Sequence, residues 1–449
     1  MDKLKYLLMV FIIALFLRIS YCFIIKDSEP KNDMAIYDKL ALNLVEGKGF
    51  GMNGAEGKSS YMAPGQAFFL AGIYSLFGHN IFIARLIMAF IGSLSCVIIY
   101  KLAKNLFGVG KLASLLLCFY PTAIIINGSL RSETPFIFLL LLLFYIISEK
   151  IYPIWIKSVL LGGLFGIAVF IRPVLQYFLI IYLIWEVLIR YKKEKKLNFV
   201  NPLIIVIIFL ITLSPWIVRN YRVHGDFILV TTNSGINFYR GNYENATGRY
   251  ESYMGLDKIF PGKSEIEKNK LGMKKGIENI LNNPINFLEL SAKKFMLFSS
   301  PDREILSYKN MGYFEKITLP LYLFFVLFFY FYFSGIVILT IFYFIYIENF
   351  KDTCNQKGLI ILLILYYFGI HSVVISSATY HAPIIPFFII FASRSLKDIK
   401  IGKISYSKKK NFLFFSVLLF IILIWLLNIL VFDLDKINSL ITKVLLKNG

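Results

Sequence analysis

The chain alternates long apolar runs with short polar segments rich in lysine and arginine. A bilayer-spanning helix needs roughly 17–25 mostly apolar residues. By that measure the pattern predicts helices at Leu7–Ile25, Phe82–Leu102, Leu112–Ile126, Phe136–Ile147, Val159–Ile171 and Tyr177–Ile189. Further runs lie at Leu203–Val218, Ile317–Ile347, Leu359–Ile375, Pro383–Ala392 and Phe412–Phe432. The runs are continuous and lack the in-out alternation of a membrane β-barrel. The expected fold is therefore an α-helical polytopic membrane protein with about eleven transmembrane helices.

Basic residues orient these spans. Lys101, Lys104 and Lys111, then Lys150 and Lys157, then the stretch from Arg190 to Lys196, and finally Arg394 to Lys410 mark inner loops. The N-terminus is then inside and the tail from Asp433 to Gly449 outside. Two long polar stretches fall outside, a first outer loop at 26–81 and a large outer loop at 219–316. Within the first, Pro64 to Phe77 is apolar but too short to span, which suits an interfacial helix. Ile317–Ile347 is read as one long, tilted span, because the following positive loop, Lys351 to Lys357, must lie inside. The chain divides into a transmembrane unit, 1–395, and a basic loop, final helix and tail, 396–449.

Composition agrees with this pattern. Hydrophobic residues make up 57% of the chain, and mean hydropathy is +0.68. The formal charge of +21 follows from lysines that hold loops inside, not from a nucleic-acid surface. Of the four cysteines, Cys22, Cys96 and Cys118 lie in apolar runs and Cys354 in a polar loop. Their spacing fits neither a disulfide framework nor zinc. Lys3 and Lys5 precede the first apolar run without a small-residue cleavage site, which reads as an uncleaved anchor.

Charged groups in or beside spans are costly and often functional. Here most of them map to the outer side: Arg18, Asp33, Asp38, Arg85, Arg131, Glu133, Arg172, Arg219, Arg222 and His381. Glu186, near an inner end, is the main exception. Such a rim suits a lipid substrate whose polar head is outside. Arginine offers a planar fork to phosphate oxygens, and a carboxylate can take the proton of an incoming hydroxyl. Each residue also has a plainer reading. Arginines at span ends snorkel to headgroups, the reading favoured for Arg131 and Arg222. Glu133 fits a helix start in Ser132-Glu133-Thr134-Pro135. Asp33 fits one before Met34–Val45. For Asp33 the two readings stand level.

The ordered series of short motifs carries a family likeness. It begins Asp33-Met34-Ala35-Ile36-Tyr37, then Gly47-Lys48-Gly49-Phe50, Tyr61-Met62-Ala63-Pro64-Gly65 and Ala84-Arg85-Leu86. Tyr120-Pro121, Ser132-Glu133, Ile171-Arg172-Pro173, Pro215-Trp216-Ile217-Val218-Arg219-Asn220 and Tyr380-His381-Ala382-Pro383 follow. In order and spacing this resembles the polytopic GT-C glycosyltransferases of the protein O-mannosyltransferase and aminoarabinose-transferase type, up to about Ser395. Two positions depart from the family pattern. Met62 and Ala63 stand where relatives often place a basic residue, and Thr379 where they often place arginine.

The resemblance implies an inverting glycosyltransferase of the plasma membrane, with its active site on the outer face. It would move a hexosyl or pentosyl group from a polyprenyl-phosphate donor to a hydroxyl on a glycan, lipid or protein. Asp33 and Glu133 match the family's acidic residues and are the catalytic candidates. Tyr37, Tyr61, Arg18, Arg85, Arg172, Arg219, Tyr380 and His381 are the substrate-binding candidates. No cofactor is required; Asp33, Glu133 and His381 could hold a divalent cation, though nothing in their spacing demands one. The large loop, with Asn237, Tyr239, Asn242, Tyr243, Tyr250 and Tyr253, suits either a sugar-facing cover or ordinary loop surface. Two alternatives remain open. One is a polymerase or ligase using a lipid-linked glycan. The other is a flippase, which would show paired broken helices and midplane charge.

Overall fold

The computed structural model describes residues 2–51, 58–249, 260–302, 304–310, 313–314, 317–348, 356–402, 404 and 406–432. Expectations for Tyr250, Tyr253, Cys354, most of the loop from Lys351 to Lys357 and the tail from Asp433 lie outside those residues. Within them the protein is helical, and its only β pairing is two isolated bridges, Phe50 with Lys58 and Arg249 with Ser376.

The first outer loop opens after α1 (Lys3–Ile24) and contains α2 (Asp33–Val45) and α3 (Pro64–Phe77). A proline at the first position of α3 starts that helix, where its missing N–H costs nothing. Next comes α4 (Ile81–Phe107). Its N-terminus is capped by Asn80, which accepts from the Ile83 amide. Gly108, in the left-handed region at φ 66°, ends it and turns the chain into α5 (Gly110–Cys118).

The run expected as one helix over Leu112–Ile126 is instead a bent pair. α5 and α6 (Pro121–Asn127) meet at 58°. Pro121 disfavours helical geometry at the residue before it, and Tyr120 is extended (φ −67°, ψ 111°).

Five helices follow: α7 (Glu133–Ser148), α8 (Ile154–Ile171), α9 (Leu175–Glu194), α10 (Val200–His224) and α11 (Ser234–Arg240). α8 and α10 are closely apposed. A Cβ at Gly162 would come within 2.7 Å of the Ile205 carbonyl oxygen, so only glycine permits that approach. α10 runs one and a half turns beyond the expected Val218 and carries Arg219 and Arg222 with it.

The large loop is not irregular. Besides α11 it holds α12 (Glu265–Asn282), α13 (Pro284–Phe298) and α14 (Glu304–Asn310). Local capping explains two of these helices. Ser264 and Glu267 form a reciprocal capping box on α12, and Asn283 accepts from the Asn286 amide on α13. The remaining helices are α15 (Leu319–Phe342), α16 (Gln356–Val373), α17 (Ile385–Lys400) and α18 (Lys408–Phe432). α15 continues through a π turn at Tyr343–Ile347, giving one apolar helix over 320–347.

Among the described residues, seven helices are long and apolar enough to cross a bilayer, or eight if the bent pair counts as one span. The shorter α7 is also apolar. The chain is a multi-pass helical membrane protein. Its main core lies within the bundle, around Phe136, Leu140, Phe165, Phe178, Leu363 and Phe387.

A second core lies under the first outer loop. Met34, Tyr37, Leu40, Leu70 and Tyr74 pack there with Trp216, Tyr308 and Tyr313. α2 has 13 residues, too few for a stable isolated helix in water. Burying each large apolar side chain contributes roughly 1.5–3 kcal/mol, and this seat holds Asp33 in place.

Candidate active site

Asp33 is the first residue of α2, and Asn32 before it takes a positive φ of 54°, a region asparagine tolerates better than most residues. The carboxylate sits at the positive end of the helix dipole. It retains exposed surface yet is crowded by protein. That crowding raises its pKa above the usual carboxylate range, Arg131 and Arg172 pull it back, and Glu133 pushes it up. Among the described residues no side chain or backbone group hydrogen-bonds to it. Tyr37 lies one turn on, on the same face. It is buried, bonded to Ser132, and close enough to Asp33, Arg172 and Glu133 to sense their charges.

Glu133 opens α7 and is buried. Arg131 Nη2 donates to its Oε1 at 2.7 Å, and Arg172 Nη1 stands 3.3 Å from the same oxygen. Arg172 follows the last turn of α8 and lies over the Phe136 ring at 5.7 Å. Arg131 Nη1 also donates to Glu304 of α14, at 3.1 Å to Oε2. Two atoms of this buried cluster, Glu133 Oε2 and Arg172 Nη1, have no hydrogen-bond partner. The hydroxyl of Tyr367, which lies near Arg172, has none either. Most buried polar atoms in proteins are satisfied. Polar groups of a ligand would satisfy these donors and acceptors. Asp33, Glu133, Tyr37 and Arg172 thus come together, although their places in the chain are far apart.

His381 belongs to an adjoining network. Its Nδ1 donates to the Phe298 carbonyl (2.9 Å), and its Nε2 faces Asp302 Oδ1 at 2.7 Å. The other oxygen of Asp302 accepts from Tyr120 and from Thr122 Oγ1. The bend at Pro121 sets both hydroxyls on that carboxylate. Asp302 and Glu304 lie two residues apart, so the two networks share one segment. Tyr380 packs on His371 with ring centroids 5.0 Å apart.

The other candidates lie elsewhere. Arg85 donates to the backbone carbonyls of Ile25 (2.7 Å), Lys26 (3.3 Å) and Ser28 (2.5 Å), tying down the end of α1. Arg219 donates to Ser59 O, Ser60 Oγ, Asn220 Oδ1 and Phe50 O, and lies 4.7 Å from the Trp216 ring centroid. These two arginines fasten the first outer loop. Tyr61 accepts from Arg240 at 3.2 Å, on the same side as Arg219. Arg18 is buried between α1 and α4, donating to Ala14 O and Cys96 Sγ. Its unpartnered Nε, with Asn127 Oδ1 and Thr134 Oγ1, lines a cavity of about 20 Å³. That space suits a water, which needs roughly 10–15 Å³, rather than a phosphate group.

Among the described residues, no three His, Cys, Asp or Glu side chains are grouped to hold a metal ion. His381 is engaged with Asp302, so it does not complete a ligand set with Asp33 and Glu133.

Three site residues were not legible in the sequence. Arg131 reads as a snorkelling arginine until its two carboxylates are seen. Asp302 and Glu304 carry only a weak signal, an acidic pair just after Pro301 in the large loop.

Residues 62–218 match the Dolichyl-phosphate-mannose-protein mannosyltransferase family. That match bears out the GT-C resemblance read from the ordered motifs. Among solved structures, ArnT from Cupriavidus metallidurans bound to undecaprenyl phosphate is similar at 11% identity and a TM-score of 0.45, covering 88% of this chain and 78% of that one. The same protein in the apo state gives 11% identity and a TM-score of 0.41, covering 88% and 77%. No curated protein matches the chain.

Proposed function

We propose that the protein is an inverting glycosyltransferase that takes a sugar from a polyprenyl-phosphate donor at the outer face of the plasma membrane. The family match over 62–218 supports glycosyl transfer. The observation that carries the site assignment is the pair of unpartnered atoms, Glu133 Oε2 and Arg172 Nη1, beside the open Asp33 carboxylate.

In this reading Asp33 is the base. As the acceptor oxygen attacks the anomeric carbon, its proton passes to Asp33. The bond from that carbon to the phosphate oxygen breaks, and the polyprenyl phosphate leaves with the electron pair. Arg172 stabilises the growing phosphate charge. Arg131 is held by Glu133 and Glu304 and keeps Glu133 ionised and oriented. Glu133 Oε2 accepts from a sugar or acceptor hydroxyl. Tyr37 borders the sugar, and His381 with Tyr380 supports the far side of the site. Arg85, Arg219 and Tyr61 act by holding the loop, and Arg18 by its bundle contacts.

The test is transfer in membranes from a panel of polyprenyl-phosphate hexoses and pentoses, comparing wild type with Asp33→Asn. Transfer by the wild type and its loss in the variant are expected. Equal transfer by both removes Asp33 from the role of base. Transfer only from a lipid-diphosphate glycan replaces the donor class.

A further inference from the structure

The large loop carries an apolar elbow that the chemistry above does not use. α12 is tied at its start to the first outer loop and to the turn after α10, and near its finish, through Asn242, to the end of α16. At its start, Glu265 Oε1 accepts from the Ser60 amide at 2.9 Å. Lys270 pairs with Asp226, just beyond α10, at 2.9 Å. Near its finish, Asn279 Nδ2 donates to the Asn242 carbonyl at 3.3 Å. Asn242 in turn donates to the Val373 carbonyl, the last residue of α16, at 3.0 Å. α12 therefore lies across the tops of α10 and α16.

α13 then returns to the bundle. Lys294 donates to Asn242 Oδ1 and to the Val373 carbonyl, both at 2.9 Å. Trp425 of α18 donates to the Ser299 carbonyl at 2.8 Å. Asn279 and Lys294 meet on one asparagine, so the segment between them projects as an elbow. On and beside it Ile277 (45%), Leu281 (73%), Ile285 (70%) and Leu288 (66%) are exposed, together with the polar Glu278, Asn282, Asn283 and Glu289. Ile277 and Leu281, four apart, share a side of α12, and Ile285 and Leu288, three apart, share a side of α13; the two helices break at Asn283 (φ −140°, ψ 75°). Lys270 and Lys274 flank the stripe on α12, both well exposed.

Leaving such side chains in water forgoes the gain of burying them. Four together, beside lysines and joined to the exposed face of a spanning helix, have the make-up of an interfacial helix. α18 supplies that face: Phe415, Leu419 and Leu423 are exposed along it.

We propose that the α12–α13 elbow is inserted into the bilayer leaflet on the large-loop side, its four aliphatic side chains among the acyl chains and Lys270 and Lys274 at the phosphate level. The elbow is then a third anchor of the loop, beside the spans that precede and follow it. Asn242 is the clasp that fixes its angle. The proposal stands independently of which sugar, if any, is transferred.

The test uses the full chain in nanodiscs of phosphatidylethanolamine and phosphatidylglycerol. Spin labels are placed by Leu281→Cys, Ile285→Cys and Leu288→Cys in a Cys354→Ser background. Lys48→Cys, exposed in the first outer loop, serves as the aqueous reference and Phe415→Cys as the lipid reference. Labels at 281, 285 and 288 should collide with oxygen more than with a water-soluble nickel chelate, as at 415. A pattern like that at 48 overturns the proposal. So does shielding from both reagents with dipolar broadening, which would mean contact between two copies. The wild type provides a check free of substitution. Lipids with a photoactivatable group on the acyl chain should label the peptide spanning 277–288, and no labelling there overturns the proposal.

Discussion

Arg131 Nη2 lies 2.7 Å from Glu133 Oε1, and the same guanidinium holds Glu304 at 3.1 Å. One cation thus joins the start of α7 to α14, in the large loop. Both carboxylates are buried, so neither can replace this partner with water. Removing one member of such a group leaves uncompensated charge, at a cost of roughly 3–5 kcal/mol. Arg131→Met should therefore lower the unfolding temperature in detergent as well as abolish transfer. Arg131→Lys should recover only part of it, since a point charge cannot reproduce the fork. An unchanged unfolding temperature in Arg131→Met would show that these bridges do not hold the loop.

Asp33 gives a prediction about acid. Its folded pKa is raised, first by desolvation and further by Glu133, against the pull of Arg131 and Arg172. A base must be ionised to accept a proton. The acid limb of the transfer rate should thus lie above pH 3.8, the ordinary value for this side chain, with activity lost as pH falls through the raised pKa. Asp33→Asn should reduce turnover by about 10²–10⁴-fold, the usual weight of a general base. It should leave the fold intact, because the carboxylate bonds to no protein group. A rate whose acid limb is unmoved by Glu133→Gln would argue against the coupling, since losing that neighbouring charge should lower the Asp33 pKa.

What the sequence reveals of this fold divides along physical lines. The bundle was legible because a bilayer imposes long apolar runs. α3 was found to the residue because Pro64 and Gly78 bound it. The bend at Tyr120 was carried by Pro121, but an apolar run of that length concealed it. Arg85 and Arg219 looked like ligands because sequence shows a charge without showing the carbonyls around it. Glu304 was beyond reach for the opposite reason. Its importance comes from Arg131, 173 positions earlier, and nothing local marks that pairing. The helices of the large loop were missed because their signals are caps and short amphipathic stretches, weaker than a span.

Lys294 supports a prediction about base. It is fully buried on α13, and desolvation pushes its pKa down to about 7 from 10.5. A lysine with a lowered folded pKa is neutral in the fold while still protonated in the unfolded chain. Between about pH 7 and 10.5 the unfolded state binds more protons, so stability rises with pH across that window. It falls as pH drops towards 7 and levels off below. Thermal unfolding in detergent should show this slope, and Lys294→Met should flatten it. An identical slope in both proteins would place the titration on another group.

Arg172 separates binding from chemistry. Its Nη1 lies 3.3 Å from Glu133 Oε1 and makes no hydrogen bond there, so the donor is free for a phosphate oxygen. Charge-assisted hydrogen bonds are worth roughly 1.5–3 kcal/mol, which converts to about 10–100-fold in an equilibrium or rate constant. Arg172→Lys keeps the charge but loses the second prong of the fork. If Arg172 grips the donor, its kcat/KM for the polyprenyl-phosphate sugar should fall by about that factor, with most of the loss in KM. Asp33→Asn should show the reverse, a fall in kcat with little change in KM. Lengthening or shortening the prenyl chain should affect wild type and Arg172→Lys equally, because the contact is to the head group. Should Arg172→Lys bind donor normally and lose only turnover, the phosphate would have to be held elsewhere in the cluster, with Arg172 serving to orient Glu133.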